Sequence, residues 1–151
     1  MKITAVVIVL VGLFVLLVPA LSVAHWSGHT DLEVQFLVTD FETGQPIPHA
    51  TVHIVELEEG PADVQPASFS LTTDQNGDAR RMLKNCSWGG RSGLLEDTFS
   101  VYLPYWMYHA SSAGYANSQD SLLHQPEIAS TVKRGPPFAT VLVPIQIKKA
   151  E

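Results

Sequence analysis

The stretch from Val38 to Glu56, VTDFETGQPIPHATVHIVE, constrains the fold more than any other part of the chain. It reads as the end of a strand, a turn and a second strand. From Asp31 to Thr39 the pattern alternates, with Leu32, Val34, Phe36 and Val38 on one face and Glu33 and Gln35 on the other. A period of two is the mark of a half-buried strand. In the connection, Gly44 can supply a positive φ, while Pro46 and Pro48 fix φ and remove two backbone donors. A helix therefore cannot run through it. His49 to Leu57 alternates again, with Ala50, Val52 and Ile54 inward and His49, Thr51 and His53 outward.

The same reading extends along the chain. Glu58 to Pro66 is a polar loop, Ala67 to Thr73 a short strand, and Asp74 to Asp78 a turn with Asn76-Gly77 at its tip. Ala79 to Leu83 returns as a strand. Asn85 to Gly93 holds three glycines and two serines and reads as a loop. Thr98 to Leu103 is a strand that runs into the aromatic block Pro104 to His109. Ala110 to Gln125 has no clear period. Ile128 to Lys133 is expected as a strand, and Phe138 to Ile147 as the last one, with Pro144 marking a bulge or an edge. Seven short strands with turn signals between them predict an all-β antiparallel sandwich.

The first two dozen residues stand apart. After Met1-Lys2, Ile3 to Ala24 carries no charge, and Pro19 precedes Ser22-Val23-Ala24. Charge, apolar core, breaker and small-x-small site are the order of a secretory signal cleaved before His25. The run is also long enough to be an uncleaved anchor. Either way, residues 25–151 are expected as one exported domain, periplasmic or extracellular, that touches the membrane only through residues 3–24 if these are retained. Nine Lys and Arg less Lys2, against fifteen Asp and Glu, leave the domain a formal charge of −7. Nucleic acid and anionic lipid require a basic surface, so both are disfavoured as partners. Cys86 is the only cysteine, so no internal disulfide forms. In an oxidising compartment it is a free thiol or one half of an intermolecular bridge, which makes a disulfide-linked homodimer a candidate assembly.

Three signals in order carry a family resemblance. They are Val38-Thr39-Asp40, then Thr43-Gly44-Gln45-Pro46 before Ala50-Thr51-Val52-His53-Ile54, then Thr73-Asp74-Gln75-Asn76-Gly77-Asp78. Phe99 to Tyr102 and Gly114-Tyr115 follow. From Leu32 to Ile147 the chain resembles the carboxypeptidase-regulatory-like and transthyretin-like families. The resemblance implies a prealbumin-like, Ig-like sandwich and leaves function open, since such sandwiches serve as modules, carriers and enzymes. One enzyme branch, the 5-hydroxyisourate hydrolases, has a catalytic His three residues before the aspartate and a Tyr-Arg-Gly-Ser tail. This chain has Leu37 at the first place and ends Ile147 to Glu151, so that activity is excluded. A second branch, the intradiol dioxygenases, binds iron through two Tyr and two His. Tyr105, Tyr108, His109 and His124 offer the residue types, but the His-x-His pair of that branch is absent.

Other candidates come from the residues themselves. A free amine on His25, with its ring and that of His29, would suit Cu(II), which favours nitrogen ligands in tetragonal geometry. His49 and His53 share a strand face roughly 13 Å apart and cannot hold one ion together. Asp74 to Asp78 is part of a calcium-type loop without its closing Glu, and a hairpin turn is the simpler reading. Tyr105, Trp106 and Tyr108 are candidates for a binding surface, although alternation sends Trp106 and Tyr108 to one face and Tyr105 to the other. The expectation from sequence is an exported, non-enzymatic binding or structural module of the cell envelope. It would have no cofactor, and its partner would be a protein, a glycan or a small molecule. A small copper protein at His25 is the alternative, and a Tyr/His metal enzyme a third class.

Overall fold

A computed structural model describes residues 11–12, 23–57, 67–93, 97–135 and 137–150. Most of the leader expected over residues 1–24 and the whole of the loop at 58–66 lie outside them. Among the described residues, no helix is long and apolar enough to cross a membrane.

In chain order the strands are β1 Ala24–Asp40, β2 Thr51–Glu56, β3 Ser68–Thr72, β4 Asp78–Ser92, β5 Asp97–Val101, β6 Trp106–Ser111, β7 Ser121–Leu122 and β8 Ala139–Ile147. They form two four-stranded sheets, ordered β5-β4-β1-β8 and β3-β2-β6-β7. The all-β sandwich is as expected. Among the described residues the strand count differs, because the aromatic block forms a strand of its own, β6, the two-residue β7 leaves no periodicity to read, and Ile128 to Lys133 is not a strand. The pairing also differs. β1 is antiparallel to β4 but parallel to β8, from Leu32↔Ala139 to Asp40↔Ile147. A parallel pair needs a crossover connection, and here the crossover is the whole chain between the two strands.

Alternation explains the core. Leu32, Val34, Phe36 and Val38 of β1 are fully buried, and so are Val52 and Ile54 of β2 and Val141 and Val143 of β8. Each such side chain contributes roughly 1.5–3 kcal/mol by leaving water. Across the sandwich, the Phe36 and Tyr108 rings meet edge to face at 5.4 Å, the arrangement their quadrupoles favour. Pro144 stands in β8 opposite Leu37. Because β8 is an edge strand, the missing donor breaks no ladder.

Two segments depart from expectation. Residues 85–93 are not a loop, since β4 continues to Ser92 and pairs with both β1 and β5. Gly90 there serves close approach rather than a turn. A Cβ on Gly90 would lie 2.5 Å from the Thr98 carbonyl oxygen. The strand expected over Ile128 to Lys133 is replaced by a helical turn, Pro126–Ala129, with Ile128 buried. Pro126 sits where a first helical residue tolerates the loss of its N–H. Thr131 Oγ1 then lies 2.8 Å from the carbonyl oxygens of both Ile128 and Leu142 and accepts from the Leu142 N–H at 3.1 Å, tying the turn to β8. His49 also leaves its expected strand, lying in the turn before β2 with φ 58°.

Buried polar groups pin the turns at one end of the sandwich. Thr73 Oγ1 donates to the Ile47 carbonyl at 2.8 Å and accepts from the Ala50 N–H at 2.9 Å. Asp40 is buried. Its Oδ1 accepts from the N–H groups of Thr43 and Glu42, and its Oδ2 from the Tyr115 hydroxyl. Gly77 closes the β3–β4 turn at φ +74°, where a Cβ would lie 2.6 Å from the Val38 carbonyl oxygen. Thr73→Val leaves the Ala50 N–H and the Ile47 carbonyl unpaired. Urea unfolding should therefore show a loss of about 1–3 kcal/mol, and an unchanged midpoint would remove Thr73 from the scaffold.

The Thr43 N–H holds the Asp40 carboxyl below its ordinary value of 3.8, with smaller help from the Thr43 side chain and the Glu42 N–H and against the opposing pull of burial. A depressed folded value stabilises the fold above the unfolded carboxyl, roughly 3.9, and that contribution is lost as pH falls through the folded value. The melting temperature should hold from pH 7 to about 4 and drop below that. Asp40→Asn should begin lower at neutral pH and drop less in acid. Equal acid slopes for the two proteins would rule out this role for Asp40.

Candidate functional site

The exit of β5 and the entry of β6 build an aromatic cleft. Val101 and Leu103 point into the core, so alternation turns Tyr102 outward. Its N–H is tied to the Ser87 carbonyl at 2.8 Å, and its side chain stands 72% exposed. Tyr105 is also exposed, and its carbonyl accepts from the Leu57 N–H at 2.7 Å. On the far side, Leu123 is buried and donates its N–H to the Trp106 carbonyl, which sets His124 beside Tyr105. The two rings stack with centroids 4.1 Å apart and planes 24° from parallel. Val101, Leu103 and Ala129 complete a cavity of about 230 Å³. That is below the roughly 300–1,000 Å³ of sites for drug-sized ligands, and it suits a single ring.

His124 lines this cleft, and one polar atom of its ring is Nδ1. It is buried and has no hydrogen-bond partner among the described residues. Buried polar atoms are nearly always paired, so this orphan sets His124 apart from the other buried polar groups of the described residues.

Two other cavities are less suited. A groove of about 550 Å³ is lined by Phe41, Asn117, Pro144 and Lys148 among others, and the Lys148 ammonium already rests 4.5 Å from the Phe41 ring centroid. A cleft of about 270 Å³ is lined by Trp26, Trp88 and Phe99. The Arg134 guanidinium already covers it, at 5.4 and 5.7 Å from the Trp88 and Phe99 rings.

The candidates from sequence are scattered. Trp106 and Tyr108 are core residues, 3% and 5% exposed, so of the three proposed surface aromatics only Tyr105 is at the surface. His25 and His29 lie exposed on the first part of β1, opposite Arg91 and Ser87. Four residues of strand separate them by roughly 13 Å. Cys86 is not in an exposed loop but half-buried on β4, opposite Thr30. Burial, and secondarily the Asp31 charge, push its thiol up, away from the reactive thiolate. Asp74 uses its Oδ1 to accept from the N–H groups of Asn76 and Asp78, which makes the acidic run a capped turn. Among the described residues, no three His, Cys, Asp or Glu are placed to hold a metal ion.

The Tyr/His iron set does not assemble. Tyr108 and His109 are consecutive on β6 and point to opposite faces. Tyr108 packs on Phe36 in the core, where burial pushes its phenol up and opposes a phenolate ligand. His109 is held by Asp120 on the outer face, while Tyr105 and His124 stack together elsewhere. The residues present do not fit the iron. Nothing in the sequence joins Tyr102 and His124 in a shared site. The outward parity of Tyr102 was the one available signal, because nothing local distinguishes His124.

No protein-family model matches the chain, and no curated protein matches it. Solved structures do share its fold. The 3-chlorocatechol 1,2-dioxygenase of Rhodococcus opacus 1CP is similar at 12% identity and a TM-score of 0.53, covering 80% of this chain and 60% of that one. The chlorocatechol 1,2-dioxygenase of Pseudomonas putida is similar at 12% identity and 0.50, covering 80% and 61%. A point mutant of Acinetobacter radioresistens catechol 1,2-dioxygenase is similar at 15% identity and 0.51, covering 82% and 53%. The chain thus spans between half and two thirds of the length of these enzymes. They overturn the expectation of a non-enzymatic envelope module, because the solved structures that share this sandwich are dioxygenases. At these identities the likeness shows the fold alone, and the chemistry has to come from the site.

Proposed function

We propose that this chain is an enzyme domain that binds a small hydroxylated aromatic molecule, of the catechol class for which its structural neighbours are named. The ring would sit in the cleft of Tyr102, Tyr105 and His124. The observation that carries this reading is the buried, unpaired Nδ1 of His124. With the imidazole proton on Nε2, Nδ1 is an acceptor. A turn of the ring would bring it to the cleft, where it would take the hydrogen bond of a ring hydroxyl and serve as a general base. Val101, Leu103 and Ala129 take the apolar edge of the ring, and the exposed faces of Tyr102 and Tyr105 supply aromatic contact. No step is routed through iron, because the donors that would hold it lie apart. The charge-free run from Ile3 to Ala24 supports an exported domain, so the ring would be met outside the cytoplasm.

Catechol titrated into the full chain should move the ring resonances of His124 before those of any other histidine. His124→Ala should abolish saturation in the same range. Tyr105→Ala should bind about 3- to 10-fold more weakly, from the loss of an aromatic pair worth ~0.5–1.5 kcal/mol, while Tyr105→Phe keeps the affinity. If catechol at millimolar concentration leaves His124 unmoved, the site is wrong. Export is checked by intact mass after fractionation. A soluble species beginning at His25 or a full-length species in the membrane is expected, and full-length chain in the cytosol overturns it.

A further inference from the structure

The outer face of the β3-β2-β6-β7 sheet carries a row of polar side chains, one from each successive strand or its flank. Register sets Ser70 of β3 opposite His53 of β2, and His53 opposite His109 of β6. Asp120, just before β7, completes the row. The contacts are continuous. Ser70 Oγ meets His53 Nδ1 at 3.1 Å, and His53 Nε2 meets Ser111 Oγ at 3.2 Å. The two imidazoles face each other with centroids 4.8 Å apart and planes 31° from parallel. His109 Nδ1 meets Asp120 Oδ1 at 3.0 Å.

We propose that His53 and His109 form a binding site for a late first-row divalent metal ion such as zinc, with Asp120 as the orienting partner of His109. Directly opposed positions on antiparallel strands bring Cβ atoms about 4.5–5.5 Å apart. Zinc binds imidazole nitrogen at about 2.0–2.1 Å, so two ligand nitrogens must lie roughly 3.3 Å apart in a tetrahedral site. Rings already 4.8 Å apart reach that by side-chain rotation, without moving the sheet. The Asp120 carboxylate holds the His109 proton on Nδ1, which leaves the Nε2 lone pair for the metal. This carboxylate–imidazole–metal order is the usual outer support of a histidine ligand. On the other strand, Ser70 holds His53 Nδ1, and Nε2 exchanges its Ser111 contact for the ion. No third His, Cys, Asp or Glu among the described residues joins as a ligand, so water fills the remaining positions and the ion exchanges with solvent. The site lies on the opposite side of the sheet from Tyr108 and is independent of the aromatic cleft.

Zinc chloride titrated calorimetrically into the full chain, prepared without a histidine tag, tests this. One equivalent should bind saturably, and on the unaltered protein the ring resonances of His53 and His109 should shift together. His53→Ala and His109→Ala should each weaken binding at least tenfold, and Asp120→Asn about tenfold, the lower end of what an outer partner contributes. A His25→Ala/His29→Ala double variant should bind as the unaltered chain does. All three side chains are on the outer face, so the variants should retain the fold and catechol binding. The proposal is overturned if no saturable binding occurs below millimolar zinc. It is equally overturned if the His25/His29 variant loses binding that His53→Ala keeps.

Discussion

β1 is hydrogen-bonded along both edges, and the rest of the molecule is organised around that double pairing. On one side Val34 lies opposite Arg81 of β4, and on the other opposite Val141 of β8. The β8 pairing joins the two ends of the domain, a contact of long sequence separation whose loop-closure entropy opposes folding before the contact stabilises anything. What offsets that entropy is the inner face of β1, where Leu32, Val34, Phe36 and Val38 are all fully buried. The second sheet rests on that face through Tyr108 and Ile54. The aromatic cleft spans the closure. Tyr102 is tied to β4 of one sheet through Ser87, while Tyr105 leads into β6 and His124 follows β7 of the other.

The treatment of polar groups separates scaffold from site. Asp40 and Thr73 are buried, and each has its hydrogen bonds met within the turns it holds. Gln35 does the same between β1 and β4, donating to Asp78 at 2.7 Å. His124 departs from this pattern, with an orphan buried nitrogen. A scaffold gains nothing from such an atom, since an unpaired buried group costs about 1–3 kcal/mol. The His53–His109 row is the opposite case, half-exposed and linked from strand to strand, which is how an outer-face ligand pair stays in place without a ligand.

Much of the fold was legible locally. Alternation at Leu32–Val38 and Ala50–Ile54 identified two strands and their inner faces. Gly44, Pro46 and Pro48 marked the turn between them, and Pro144 marked an edge. Parity along the aromatic block correctly separated Trp106 and Tyr108 from Tyr105. The misreadings have one origin. Glycines at 85–93 look like a loop because composition does not distinguish a glycine that bends from one that lets a neighbour come close, as Gly90 does beneath Thr98. Ile128 to Lys133 looks like a strand because its β-branched residues outweigh Pro126, until docking against β8 makes a helical turn the better way to bury Ile128.

By itself, the sequence determined the sandwich class and the inward faces of β2 and of β1 from Leu32 onward. Those follow from a period of two and from the free energy of removing apolar side chains from water, both of which are read residue by residue. It did not determine which strands are neighbours, that β1 and β8 run parallel, or that His124 meets Tyr105 and His53 meets His109. These depend on register between segments far apart in the chain, and a one-residue slip in pairing turns every side chain to the other face. Only the closed sandwich fixes that register, so only the tertiary structure decides where the chemistry-bearing side chains converge.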